Sequence, residues 1–326
     1  MIVPQEDLAV IGFSGVLAKL PVILRARRAI LDEVERFRPE VALLVDYPGF
    51  NLRLGPELKR RGVKVCYYIA PQVWAWHAER AVQMAAWVDR LAVVFPFEEP
   101  LFRDAGVDAH FVGHPLLDEL APECDAASFR RELGVSESAP LVGFLPGSRR
   151  GEVRAHGRTL LEAAQRLRRS HPEVVPILAL APGREIAEFP SGLLDGVRVV
   201  QGRTHAVQAH ATCCAVASGT ATLETALLGS PHVIVYRVGW INHAIAKRVL
   251  TLRHIGLPNI VAGREVAPEL LQGAFTPEAV AAVLAGWLDD PVERAARRAD
   301  LVQVRERLGQ RGASERAAAL LSEMWS

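Results

Sequence analysis

The sequence predicts an α/β protein of two doubly wound parallel-sheet domains with a cleft between them, on three observations. Short apolar runs bounded by Gly, Pro, Asp or Ser alternate with longer amphipathic ones, the βαβα order of parallel sheets. Several short runs are apolar on consecutive residues, as strands covered on both faces require. The 326 residues, half of them apolar and 23% charged, provide two cores of ordinary size.

The chain opens with Leu8, Val10, Ile11, Phe13, Val16, Leu17, Leu20 and Val22–Leu24, followed by Arg25, Arg27 and Arg28. This reads either as a core-packing helix with a basic outer face or as a segment that lies on anionic lipid. Strands are expected at Val41–Val45, Val63–Ile69, Arg90–Phe95, Leu141–Leu145, Val175–Ala181, Val197–Val200, Cys213–Ala217 and His232–Tyr236. Helices are expected at Arg53–Arg61, Ala78–Ala86, Arg150–Arg169, Thr220–Leu228 and Thr276–Leu288. Ala121–Pro140 is polar, holds two prolines and one short helical segment at Ala127–Leu133, and reads as a boundary. The expected division is 1–136, 137–290, and a helical tail at 291–326.

Net charge is +1, so no global field recruits nucleic acid. No run of 18 apolar residues is present to span a bilayer. Gln5, Glu6 and Asp7 stand where a secretory signal carries basic residues, and the four cysteines show no metal or disulfide spacing, so the cytoplasm is expected. Gly-x-Gly-x-x-Gly and Gly-x-x-x-x-Gly-Lys-Ser/Thr are absent, against dinucleotide cofactors and triphosphatases. With no Asp-x-Asp or His-Glu-x-x-His either, a transferase acting on a diphosphate without metal or cofactor remains.

Ligands of open parallel sheets sit beyond the carboxyl ends of the strands. Ser218-Gly219-Thr220 runs directly into a helical pattern, and the free N–H groups of a helix start suit a diphosphate. Ser218 and Thr220 as plain helix caps are the alternative. Glu224, one turn on, is placed to accept hydrogen bonds from a ribose, or is a solvated acid favoured by the helix dipole. Ser148, Arg149 and Arg150 again set small residues and donors between a strand and a helix. Arg149 suits a leaving diphosphate, against the alternative of one more surface arginine. Arg237 follows the last strand. Asp46, at a strand end, reads equally as a general base or as a turn residue before Pro48.

Seven motifs together resemble lipid-A-disaccharide synthases, in that family's order. They are Val45-Asp46-Tyr47-Pro48-Gly49-Phe50-Asn51-Leu52-Arg53, Tyr68-Ile69-Ala70-Pro71-Gln72-Val73-Trp74-Ala75-Trp76, Phe95-Pro96-Phe97-Glu98 and Val112-Gly113-His114-Pro115-Leu116. Leu145–Val153, Ala217–Glu224 and Leu257-Pro258-Asn259-Ile260-Val261-Ala262-Gly263-Arg264-Glu265-Val266 complete the set.

The resemblance implies an inverting glycosyltransferase with two Rossmann-like domains facing a central cleft, the GT-B type. The family moves 2,3-diacylglucosamine from UDP-2,3-diacylglucosamine to 2,3-diacylglucosamine 1-phosphate, releasing UDP. Asp46 matches its base, and Arg149 with Ser218–Thr220 is placed to stabilise departing UDP. Asn259, Arg264 and Glu265 match a donor-side motif, and Glu224 as a ribose ligand is a wider GT-B expectation. Residues 1–136 become the acceptor and membrane side, and 137–290 the UDP-sugar side. Val10, Ile11, Phe13, Val16, Leu17 and Leu20 become acyl or membrane contacts, with peripheral attachment to the cytoplasmic leaflet of the inner membrane; an oligomer is compatible with all of this.

Family members open with a strand, a loop resembling Ser-Ala-Gly-Glu-x-Ser-Gly-Asp and a further βα unit. The first domain is therefore expected to be incomplete by on the order of 60 residues, two units of about 30 each. The rival expectations are another UDP-sugar GT-B enzyme, such as a muramyl-type N-acetylglucosaminyltransferase or an epimerase, and a binding remnant without catalysis.

Overall fold

The computed structural model describes residues 13–76, 79–238 and 253–325, with the side chains of 13–20 and 75–76 left out. Val10 and Ile11 thus lie outside the described residues, as do the side chains of Phe13, Val16, Leu17 and Leu20. The chain forms two compact units, 1–115 with 311–326, and 116–310. No described helix is long and apolar enough to cross a membrane.

In the first unit, β1 (Val41–Val45), β2 (Lys64–Tyr68), β3 (Arg90–Val93) and β4 (Ala109–Phe111) pair in that order, all parallel. The twofold alternation of strands sorts β3 between two faces. Leu91 and Val93 join Val65 and Tyr67 in one core, while Ala92 packs on the other side with Val112 and Ala317. Helix α1 (Phe13–Phe37) lays Ala26 and Leu31 on the first core, with Ile23, Ile30 and Val34 beside them. Helix α2 (Pro48–Arg60) starts five residues before the expected Arg53, because proline is well suited to the first helical turn. Gly55 inside α2 is a close approach: a Cβ there would stand 2.0 Å from the Trp87 ring. The short helices α3 (Val73–Trp76), α4 (Glu79–Met84) and α5 (Glu98–Asp104) follow the next two strands.

The second unit begins with α6 (Leu116–Glu119) and α7 (Ala126–Leu133). Its strands are β5 (Leu141–Leu145), β6 (Val175–Leu180), β7 (Arg198–Gln201), β8 (Cys213–Ala217), β9 (His232–Tyr236) and β10 (Glu269–Leu271). They pair in the order β10-β9-β8-β5-β6-β7, again all parallel. The chain builds outward from β5 to β7 and returns at β8, so the order reverses between β5 and β8. Helices α8 (Arg150–Ser170) and α12 (Pro277–Asp289) cover one face with Leu160, Leu161, Val280, Leu284 and Trp287. On the other face Ala206 and Val207 of α9 (Thr204–His210) pack with α7. Helices α10 (Thr220–Leu227), α11 (Leu257–Ala262) and α13 (Pro291–Arg307) complete the unit.

These units differ from the expected division at both ends. Phe129 and Leu133 of α7 pack with Leu141, Ile177 and Val216, so the boundary falls at 115/116 and not at 136/137. The expected tail is split. Arg305 and Arg307 of α13 donate to carbonyls of Leu227, Val261 and Ala262 in the second unit. Helix α14 (Ala313–Ser322) joins the first unit, where Arg316 Nε donates to Val112 O (2.8 Å) and Lys64 Nζ to Met324 O (2.7 Å).

His232 of β9 is buried, with Nδ1–H on the carbonyl of Ser230 (3.0 Å) and no partner for Nε2 among the described residues. Protonation would strand a donor inside the sheet, and burial pushes its pKa down to about 4. A folded pKa below the unfolded value of about 6.5 gives stability that is full above that pH and lost as the pH falls toward 4. His232→Leu is expected to flatten this decline by about 1–3 kcal/mol, read from urea unfolding at pH 7 and pH 4.5. An unchanged pH slope would assign acid sensitivity elsewhere.

Candidate functional site

The reversal of strand order between β5 and β8 opens a crevice at their carboxyl ends, and a cavity of about 360 Å³ lies there. Four strand-end loops line it. After β5 come Gly147, Ser148 and Arg149, and after β6 Ala181 and Pro182. Thr204 and His205 follow β7, and Ser218–Ala221 with Glu224 follow β8. Gly219, at φ 148° and ψ −165°, turns the chain from β8 into α10 in a conformation closed to other residues. Among the described residues no side chain caps α10, so its first N–H groups and the positive end of the helix stand at the cavity.

The first turn of α8 is built differently. Glu152 folds back so that Oε2 accepts from the N–H groups of Ser148 and Arg149 (both 3.2 Å), while Oε1 meets Arg149 Nη1 (3.1 Å). Gly147 at φ 110° admits that carboxylate, since a Cβ would come within 2.6 Å of Oε2. The Arg149 side chain is 59% exposed and aims its charge at the same loop. Across the cavity His205 Nε2 lies 3.9 Å from Glu224 Oε2. Glu123 caps the start of α9 through the N–H groups of His205 (3.2 Å) and Ala206 (2.6 Å).

Ser148, Arg149, Ser218, Gly219, Thr220 and Glu224 are thus brought together, and five other candidates lie outside this wall. Arg150 is 68% exposed, and its nearest acid, Glu188, is 4.0 Å away. Arg237 is consumed in packing: it donates to Thr159 Oγ1 (3.1 Å) and Phe275 O, and its guanidinium lies 4.8 Å from the Phe275 ring centroid. Asn259 is wholly buried, with Oδ1 accepting from the N–H groups of Val266 and Ala267, and Nδ2 donating to Ala267 O and Glu269. Arg264 pairs with Asp300 (2.7 Å), and with Glu265 it borders a separate cavity of about 500 Å³ beside His254 and Glu269.

Sequence reasoning passed over three residues. Glu152 and His205 line the cavity. His156 is buried beneath it, linking Pro146 O (Nδ1, 3.0 Å) to Arg237 N (Nε2, 3.0 Å), and burial lowers its pKa. A signal for His156 existed: it continues the α8 stripe of Val153, Gly157, Leu160 and Leu161 that faces the sheet.

In the first unit Asp46 follows β1 with its side chain exposed. Asp46 and Tyr47 are both left-handed, at φ 45° and 46°, a cost of about 1–2 kcal/mol per residue. Side chains from elsewhere in the chain hold this turn. The Asp46 carbonyl accepts from Asn51 Nδ2 (2.7 Å) and from the buried Tyr67 hydroxyl (2.7 Å), and Asn51 also reaches Val45 O (3.2 Å). Ile69, after β2, is left-handed as well (φ 64°), so strained backbone clusters at this carboxyl edge. Farther along it, Glu98 is buried with Oε1 on Trp74 Nε1 (2.9 Å) and Oε2 on Phe95 N (3.1 Å). Burial pushes that carboxyl up to about 7 against these donors, which favour the ionised form.

Comparison with known proteins decides the family. The family described as lipid-A-disaccharide synthetase matches residues 1–324. The chain belongs to this family. It is 43% identical to the lipid-A-disaccharide synthase of Geobacter metallireducens, across 99% of this chain and 85% of that one. It is 39% identical to that of Myxococcus xanthus, across 98% and 84%. Among solved structures it resembles UDP-GlcNAc 2-epimerase from Neisseria meningitidis bound to UDP-GlcNAc (TM-score 0.60, 11% identity, 97% of this chain and 84% of that one). It also resembles the spinosyn rhamnosyltransferase SpnG complexed with thymidine diphosphate (TM-score 0.54, 16% identity, 94% and 78%). At such identities these two establish the fold, two parallel-sheet domains of GT-B type, and the synthetase family supplies the kinship.

The turn that carries Asp46 in this synthetase-family chain gives a direct test. Asn51→Ala is expected to cost about 1–2 kcal/mol in urea unfolding and Tyr67→Phe about 1 kcal/mol, the worth of the hydrogen bonds removed. Losses under about 0.3 kcal/mol for both would show that the backbone alone holds the turn.

Proposed function

We propose that this chain is a lipid A glycosyltransferase that joins 2,3-diacylglucosamine, carried on UDP, to 2,3-diacylglucosamine 1-phosphate. The observation that carries the reading is its membership of the synthetase family along nearly its whole length. In the reaction the acceptor 6-hydroxyl attacks the anomeric carbon from the face opposite UDP. The new C–O bond forms as the bond to the diphosphate breaks, inverting that carbon. Asp46 takes the hydroxyl proton, and its exposed carboxylate on an over-determined turn supports this role. The charge released on the diphosphate is met by Arg149 and by the free N–H groups at the start of α10. Ser148, Ser218, Gly219 and Thr220 shape that anion site, and Glu224 is placed for a ribose hydroxyl. Glu152 takes the Ser148 and Arg149 N–H groups, so a diphosphate at this loop has to displace it or bind beside it.

Asp46→Asn is expected to lower kcat by about 10²–10⁴ while leaving UDP binding intact. Arg149→Ala is expected to lower it by about 10²–10³. UDP release from UDP-2,3-diacylglucosamine, followed with and without acceptor, measures both. Wild-type turnover in Asp46→Asn would remove the base assignment, and absence of transfer by the wild type would remove the reading itself.

Peripheral attachment to the cytoplasmic leaflet of the inner membrane is part of this proposal, because both substrates are acylated. Leu24 is half-exposed next to exposed Arg25 and Arg28, a pairing that suits anionic headgroups. Flotation with phosphatidylglycerol vesicles is expected to carry the protein, and Phe13→Glu with Leu17→Glu to release it. Equal flotation of the double variant would exclude this surface.

A further inference from the structure

The first unit holds a concavity of about 390 Å³ between the start of α2 and the Arg80–Trp87 stretch. On α2 its wall is Gly49, Leu52, Arg53 and Pro56, one helix face by spacing, and Arg80, Gln83, Met84 and Trp87 repeat that spacing opposite. The floor is apolar, since Met84 and Trp87 are 0% and 6% exposed. The rim is cationic. Among the described residues neither Arg53 nor Arg80 has a carboxylate or carbonyl partner, whereas Arg27, Arg61, Arg90 and Arg103 of the same unit are each paired with an acid. Two unpaired guanidinium groups over an apolar floor fit an anion attached to an amphiphile. At the Asp46 end Gly49 leaves open space, for a Cβ there would meet nothing within 4 Å.

We propose that this concavity is the acceptor subsite, with Arg53 and Arg80 binding the acceptor's phosphate monoester. The proposal rests on the transferase reading and extends it. The acceptor carries its phosphate on C1 and its reactive hydroxyl on C6, attached to C5; C1 and C5 flank the ring oxygen, so the two groups lie about one ring width apart. Arg53 lies five residues beyond Pro48 on α2, about 7.5 Å along the axis at 1.5 Å per residue, the scale of one sugar ring. Phosphate held at Arg53 and Arg80 therefore directs the 6-hydroxyl toward the strand end that bears Asp46. The apolar floor faces the ring, and the half-buried Leu52 and Pro56 extend the apolar wall.

The test compares transfer to 2,3-diacylglucosamine 1-phosphate and to the same acyl sugar without phosphate. Wild type is expected to prefer the phosphorylated acceptor by about tenfold or more in kcat/KM, the scale of charge-assisted hydrogen bonds. Arg53→Met with Arg80→Met is expected to erase that preference to within about twofold, mainly through acceptor KM. Gly49→Leu, which fills the concavity without touching charge, is expected to raise KM for both acceptors. Retention of the preference in the double arginine variant overturns the subsite while leaving the transferase reading in place. Lost vesicle flotation with an unchanged acceptor preference assigns the arginines to membrane headgroups and likewise overturns it. No transfer by wild type to either acceptor removes the transferase reading, and this proposal with it.

Discussion

Every strand pair described in both sheets is parallel, and a parallel pair cannot be closed by a hairpin. Each return has to travel the length of the sheet, as a helix or an extended crossover, and in the second unit these returns cover both faces. Phe144, Cys213 and Val233 are consequently buried under α8 and α12, and Leu145, Ile177 and Val216 under α7 and α9. Neither face is left for chemistry. What stays open is the carboxyl edge, where strands stop before their helices begin, and both units put their exposed polar loops there. In the second unit the reversal between β5 and β8 draws two such loops apart and makes the cavity.

Loops at that edge have no ladder to satisfy their backbone, so side chains do it. Asn51 and Tyr67 serve the carbonyls of the Asp46 turn, and Asn259 accepts from two N–H groups of the loop that follows α11 and donates to Ala267 O and to Glu269 of β10. Glu98 ties the Trp74 segment to the end of β3, and His156 ties the end of β5 to the end of β9. Motif residues therefore divide into groups that face the cavity and groups that hold the loops still. Residue type alone does not tell them apart: Arg149 faces the site, while Arg237 is spent on Thr159 and Phe275.

Much of the fold was legible because many of its strands are short, largely apolar runs. The runs at β1, β5, β8 and β9 have the bounds expected of them, and α8 agrees to within one residue. The two strands that went unread, β4 and β10, are three residues long and flank their sheets, where a half-covered Ala-His-Phe or Glu-Leu-Leu carries no apolar run. Pro48 and Gly49, which lay between the expected strand and the helix expected from Arg53, prove to be the first turn of α2. Of the site, Ser148, Arg149 and Ser218–Thr220 were legible because each stands just after a strand, and Glu224 because it lies one turn into the helix that follows. His205 was not, since it stands four residues beyond the end of β7, already inside α9.

The sequence by itself determined the strand-end loops, the alternation that makes both sheets parallel and the family to which the chain belongs. These depend on spacing within a few residues, or on motifs in linear order. Tertiary structure alone decided which edge residues meet. It also returned the C-terminal helix to the first unit and set Arg53 and Arg80, 27 positions apart in the chain, on the rim of one concavity. The physical reason is that a side chain's role is set by the partner that reaches it. For Arg237 that partner is a core ring 38 residues away; for Arg53 the fold supplies none among the described residues.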